Sequence, residues 1–146
     1  MKLPLAALCG LVALTCVGCF QHPSDEAFRR LFTQKRTAFA DVADAVDASG
    51  ITGYVVPEQH AKIVVQYGSS LLQDDDFHLV RRDDGAVLFG FSAHGLSIAG
   101  TRKGIARVPA KSLKFYKLLS SDSLWPREEG DYLKPIEGDW YIYVIN

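Results

Sequence analysis

The chain has 146 residues, with 16 Lys and Arg against 17 Asp and Glu and a formal net charge of −1 at pH 7. That near balance gives no general attraction to nucleic acid, and the length suits one domain that buries about two thirds of its unfolded surface. All three cysteines, Cys9, Cys16 and Cys19, stand at the very start, so the rest of the chain has no disulfide, no thiolate nucleophile and no cysteine-containing zinc site, and its fold must rest on an apolar core.

The opening segment has a positive start, the α-amine and Lys2, then an apolar run over 3–14, then Val17-Gly18-Cys19. This is the pattern of a secretory signal. Its end resembles a bacterial lipobox, which reads Leu, a small residue, Gly or Ala, then Cys; Val17 and Gly18 fit, and Cys16 stands where Leu is usual. Leu8 and Thr15 precede the other two cysteines where a small residue is wanted. The resemblance therefore implies a lipoprotein signal peptide over 1–18, palmitate-type acylation of Cys19, and a lipid anchor in the bacterial cell envelope. Phe20 follows the cysteine where Asp would retain a lipoprotein in the inner membrane, so the same resemblance favours the outer membrane, facing the periplasm. The other reading is an uncleaved membrane helix, because the apolar stretch approaches the ~20 residues that span a bilayer, although it contains Pro4, Gly10 and Gly18.

Residues 19–24 read as a tether, with Pro23 arguing against helix before it and Ser24 suited to cap one after it. Phe28, Leu31, Phe32, Lys35, Phe39, Val42, Ala43 and Val46 then recur at three and four residues until Ser49-Gly50 supplies a stop. A helix is predicted. Its charges are segregated: Arg29, Arg30, Lys35 and Arg36 come first, then Asp41, Asp44 and Asp47. A basic half beside the tether could lie on anionic lipid at about 1 kcal/mol per residue. The alternative is a solvated face on a helix whose Phe28, Phe32 and Phe39 pack into its own domain. The acids near the end oppose the helix dipole, which means either a partner for them or a small tolerated cost.

Residues 53–56 form a short extended piece ending at Pro57. Over 58–73, Ala61, Val64, Val65, Gly68, Leu71 and Leu72 fit a helical face against the β-branched run Ile63-Val64-Val65, and a second helix is the expectation. After Asp74-Asp75-Asp76, strands over 77–81 and 86–92 flank Asp84-Gly85, a two-residue hairpin turn. Val87, Phe89 and Phe91 would face one side, and Ala86, Leu88 and Gly90 the other. Two more strands, over 96–100 and 105–108, are expected around Thr101-Arg102-Lys103-Gly104. Residues 110–120 read as a short helix or a crossing segment and 121–130 as a loop. A strand over 132–136 then turns through Glu137-Gly138-Asp139 into 140–145, whose apolar and aromatic residues on both faces suit an interior position. The assembled class is α+β: N-terminal helices followed by an antiparallel sheet of about five or six strands, in a single domain over 25–146. The layout is similar to that of cystatin-like cones and of small lipoproteins of outer-membrane assembly machinery. Gly95-Leu96-Ser97-Ile98-Ala99-Gly100, Lys103-Gly104 and the terminal Gly138-Asp139-Trp140-Tyr141-Ile142-Tyr143 resemble small bacterial envelope proteins, a likeness that implies a location and carries no activity.

Candidate chemistry is sparse. Gly90-Phe91-Ser92-Ala93-His94 imitates a nucleophile elbow, with His94 where the last glycine belongs. The 95–100 stretch has the first spacing of a phosphate loop, but Thr101 takes the place of its lysine. His22, His60, His78 and His94 include no i, i+4 pair, and Asp74 to Asp76 lack the alternate spacing of a calcium loop. No metal and no cofactor is expected. Ser92, His94 and a carboxylate such as Asp83 or Asp84 could converge across neighbouring strands. Two functions follow. One is a lipid-anchored, non-catalytic envelope binding module, of accessory, inhibitor or immunity type, held to the membrane by its N-terminal lipid and contacting an envelope protein. The alternative is a small envelope hydrolase using Ser92 and His94.

Overall fold

The computed structural model describes residues 23–55, 62–63, 78–93 and 101–146. Helix α1, Asp25–Ser49, starts where its capping residue predicts: the Ser24 hydroxyl accepts a hydrogen bond from the Ala27 amide at 3.1 Å, satisfying one of the free donors of the first turn. Gly50 ends it in the left-handed region at φ 67°, a conformation that costs glycine nothing. Phe28, Phe32, Phe39, Val42, Ala43 and Val46 are all buried. The backbone leaves helical geometry at Lys35, two residues after Thr33, whose hydroxyl bonds back to the Arg29 carbonyl in the manner that bends helices.

The strands are β1 (Gly53–Tyr54), β2 (His78–Arg81), β3 (Val87–Ala93), β4 (Arg102–Arg107), β5 (Lys117–Leu118), β6 (Asp131–Glu137) and β7 (Trp140–Ile145). They form one sheet in the order β1-β2-β3-β4-β7-β6-β5, antiparallel throughout except for the β5–β6 pair. The class is mixed α and β, mostly sheet. In detail the expectation is corrected: the described residues contain one α-helix of defined bounds in place of the N-terminal pair, with only Lys62 and Ile63 helical beyond it, and seven strands in place of five or six. The surplus comes from the two edges, β1 and β5, which at two residues each are too short to leave a period in the sequence. The helix expected over 58–73 lies outside the described residues save for Lys62 and Ile63, and the strand expected over 96–100 lies outside them altogether.

Two local readings are also corrected. The hairpin between β2 and β3 has three linking residues, Asp83, Asp84 and Gly85: the Arg82 amide bonds the Ala86 carbonyl, and the Gly85 amide bonds the Arg82 carbonyl. Gly85, at φ 92°, absorbs the extra residue as hairpins of this length require. Arg102, Lys103 and Gly104, expected in a connection, belong to β4, where Arg102 pairs with Ala93 and Gly104 with Gly90. The segment over 110–120 becomes a 3-10 helix, Ala110–Phe115, followed by β5. As expected, β7 is interior, lying between β4 and β6.

Both faces of the sheet are buried. On the first, Leu79, Val87, Phe89, Phe91, Ile105, Trp140 and Ile142 meet α1, with the Phe39 ring edge-on to Phe89 at 5.0 Å. On the second, Ala86, Leu88, Ala106, Val108, Tyr116, Leu133, Tyr141 and Tyr143 form a smaller core. The alternation along β3 is the one expected from its sequence. Arg82, just after β2, bonds Asp131 at the start of β6 at 2.5 Å, although β3, β4 and β7 intervene. In a flat sheet that separation would be about 19 Å. The sheet therefore curls around its second face into a trough, with the 3-10 helix across one end, where the Ser112 hydroxyl bonds the Asp84 carbonyl.

Candidate functional site

Three arrangements of polar side chains stand out. The first gathers where the described chain begins. Asp25 accepts from Lys134 Nζ at 2.8 Å and from Trp125 Nε1 at 2.8 Å, and pairs with Lys103 Nζ at 2.7 Å. Lys103 also donates to the Pro23 carbonyl at 2.9 Å, and Lys134 to the Ser123 carbonyl. Both lysines are buried, at 5% and 2% exposure, and both ammonium groups lie over the Trp125 ring. Burial pushes the Asp25 carboxyl up, but the hydrogen bonds from Lys103, Lys134 and Trp125 outweigh it and hold the group at about 2. This cluster ties the first turn of α1 to β4, to β6 and to the loop before β6.

The second arrangement ties down the other end of α1. Arg107 of β4 bonds Asp44 at 2.6 Å and Asp47 at 2.5 Å, and Arg81 of β2 reaches Asp47 at 3.2 Å. Asp44 and Asp47, which oppose the helix dipole, thus have partners in the sheet. Toward the start of the helix, Arg29 donates to the Pro135 carbonyl and Arg36 pairs with Glu137. The helix packs into its own domain, with Phe28, Phe32 and Phe39 in the core.

The third is a recess of about 160 Å3 on the second face, at the open end of the trough. Its apolar lining is Val80, Leu88 and Ile145, and its polar lining is Tyr54, His78, Arg82, Arg102 and Tyr143. Two paired glycines shape it. A Cβ on Gly90 would fall about 2 Å from the His78 ring, and one on Gly104 would fall 2.8 Å from the Tyr143 ring. Only a strand without side chains at these two positions lets both rings lie down against the backbone. Arg102 donates to the Tyr54 hydroxyl and sits 5.8 Å from the centre of that ring. Burial pushes the Tyr143 hydroxyl above the ordinary tyrosine range, against the pull of Arg102, so it stays a neutral donor.

Of the residues singled out in the sequence, Ser92 is in β3, beyond a register shift between Gly90 and Ser92, and pairs with Lys103. His94, His22, His60 and Cys19 lie outside the described residues. Asp83 and Asp84 occupy the hairpin at the opposite end of β3 from Ser92, and Asp84 spends a carboxylate oxygen on the Ala86 amide. Five residues of strand, Val87 to Phe91, lie between the hairpin and Ser92, and at about 3.4 Å per residue these acids do not join Ser92. Among the described residues no group of three His, Cys, Asp or Glu could hold a metal ion, and no helix is long and apolar enough to cross a membrane. Sequence reasoning missed Asp25, Trp125 and Lys134, and also Tyr54 and Arg102. The signals were present as a lone lysine in the apolar run Tyr132-Leu133-Lys134-Pro135-Ile136, and as glycines in two strand interiors.

No family model, no curated protein and no solved structure matches the chain. Its function is read from its own residues.

Proposed function

We propose that the chain is a lipid-anchored, non-catalytic binding module of the bacterial cell envelope, acylated at Cys19 and facing the periplasm from the outer membrane. The observation that carries this reading is the fastening of the domain at Pro23 and Asp25, by Lys103, Lys134 and Trp125. Pro23 is four steps along the chain from Cys19, a reach of at most about 14 Å. A tether so short transmits any motion of the lipid to the domain, and this buried polar cluster is where that force would enter. Leu124, at 91% the most exposed large apolar residue among the described residues, lies at the same corner, between the two loop residues Ser123 and Trp125 that complete the cluster. It suits a face held against a bilayer.

The test is metabolic labelling. Palmitate label on the wild type and none on Cys19→Ser, with the wild type co-sedimenting with outer-membrane markers, is the expected result; label persisting on Cys19→Ser would overturn it. The hydrolase reading gains no support from Asp83 or Asp84. Ser92→Ala combined with His94→Gln is expected to leave the cellular phenotype intact, and loss of function at an unchanged thermal midpoint would restore the enzyme.

A further inference from the structure

We propose that the recess between β1, β2, β4 and β7 captures the C-terminal residue of a partner polypeptide, its carboxylate on Arg102 and its apolar side chain on Val80, Leu88 and Ile145. The inference rests on the binding-module reading and names the chemistry of the partner.

Size comes first. At about 160 Å3 the recess is well below the ~300–1,000 Å3 of pockets that enclose whole cofactors or drug-sized ligands. It holds roughly five waters' worth of liquid volume, which is one amino-acid side chain with its terminal group. A single residue presented from a longer chain fits that limit.

Charge comes second. Arg102 is exposed, and among the described residues no carboxylate is within ion-pair distance of it, whereas Arg81, Arg82 and Arg107 each have one. Its bond to Tyr54 uses one of five donors, and the planar fork left over matches a carboxylate. The hydroxyls of Tyr54 and Tyr143 supply further donors beside it. A phosphate dianion would call for a second free cation, and Arg82, which also lines the recess, already has its charge balanced by Asp131.

Shape comes third. Paired glycines inside a sheet weaken it, yet Gly90 and Gly104 stand directly opposite one another. Their effect is to let the His78 and Tyr143 rings pack down and frame an apolar floor. Chain ends are among the groups that binding modules recognise by such concentrated donors.

The test uses the full-length protein in detergent. It is titrated with a pool of random octapeptides ending in leucine, made with a free C-terminus and separately as the C-terminal amide, and with N-acetyl-leucine. NMR of the His78 and Tyr54 rings reports binding. Expected are saturable shifts with the free-acid pool, at least tenfold weaker binding of the amide pool and of N-acetyl-leucine, and at least tenfold weaker binding of the free-acid pool by Arg102→Gln at an unchanged thermal midpoint. Arg102→Lys should recover part of the loss. No saturation by the free-acid pool up to about 10 mM, or equal binding of acid and amide, would overturn the proposal. Binding of N-acetyl-leucine as tight as the pool would overturn the chain-end assignment in favour of a free small carboxylate. If wild type and Arg102→Gln retain the same envelope proteins equally, the recess is wrong and the module reading stands; if wild type retains none, the module reading itself falls.

Discussion

Replacing Asp25 by Asn removes one negative charge from between two buried cations. Lys103 and Lys134 are 5% and 2% exposed, and after the change neither has a carboxylate partner among the described residues. Stripping one partner from a buried pair costs about 3–5 kcal/mol. Here the figure belongs below that range, since the Asp25 side chain is 24% exposed and each ammonium keeps a backbone carbonyl and the face of Trp125. We expect a loss of about 2–3 kcal/mol, near 10 °C in Tm for a domain of this size, read by urea unfolding at pH 7 with the slope unchanged. Acid supplies an independent check. The Asp25 carboxyl is held at about 2, below its ordinary 3.8, so its contribution is complete above the ordinary value and disappears as the pH falls from there toward 2. After solvent screening that pH-dependent part is worth about 1–2 kcal/mol, and the gap between wild type and Asp25→Asn should narrow by this much between pH 5 and pH 2. A variant within about 0.5 kcal/mol of wild type at pH 7, or a gap that ignores pH, would refute the reasoning.

Arg107→Ala should cost about 2 kcal/mol, because its guanidinium side chain is 16% exposed and holds two carboxylates of α1; Arg107→Lys should restore less than half of the loss, since an ammonium cannot fork to both. Arg36→Ala, whose pair with Glu137 is exposed on both sides, should stay within about 0.5 kcal/mol in the same unfolding assay. Gly104→Ala would set a Cβ 2.0 Å from the Phe89 carbonyl oxygen and should abolish cooperative unfolding, whereas Gly138→Ala, at φ 55° with open space around it, should cost about 1 kcal/mol. Deleting 140–146 removes the strand between β4 and β6 and should leave no thermal transition.

The parts of this fold legible in the sequence are those where one residue type has one local reason to be there. Ser24 and Gly50 bracket the helix because capping and left-handed geometry are decided within a turn. The alternation of Val87, Phe89 and Phe91 with Ala86 and Leu88 was readable because a strand buried on both faces still sorts large residues from small. The strand β4 was misread for the opposite reason. Arg102-Lys103-Gly104 carries the composition of a turn, and what makes it strand is distant: Asp25 for Lys103, Tyr54 for Arg102, and the Tyr143 ring for Gly104. The edge strand β5 escaped notice, and β1 was read only as an extended piece rather than a strand of the sheet, because two residues have no period. The candidate site was invisible for a related reason, since its residues come from β1, β2, β3, β4 and β7 and meet only through strand pairing across the sheet.

Arg102 and Lys103 show how the anchor and the recess are joined. Consecutive residues of a strand point to opposite faces, so Lys103 turns toward α1 and holds Pro23 and Asp25, while Arg102 turns toward the trough and rims the recess. One strand thickness separates the two. Under the proposed anchoring, the end of the sheet that bears the recess is also the end tied to the tether, and a tether of at most about 14 Å keeps that end beside the bilayer. A partner whose C-terminus enters the recess must then present it close to the membrane surface, which a protein embedded in or attached to the same membrane can do more readily than one diffusing through the periplasm. Restricting both partners to one surface raises their effective concentration, so a pocket large enough for only one residue can suffice for capture.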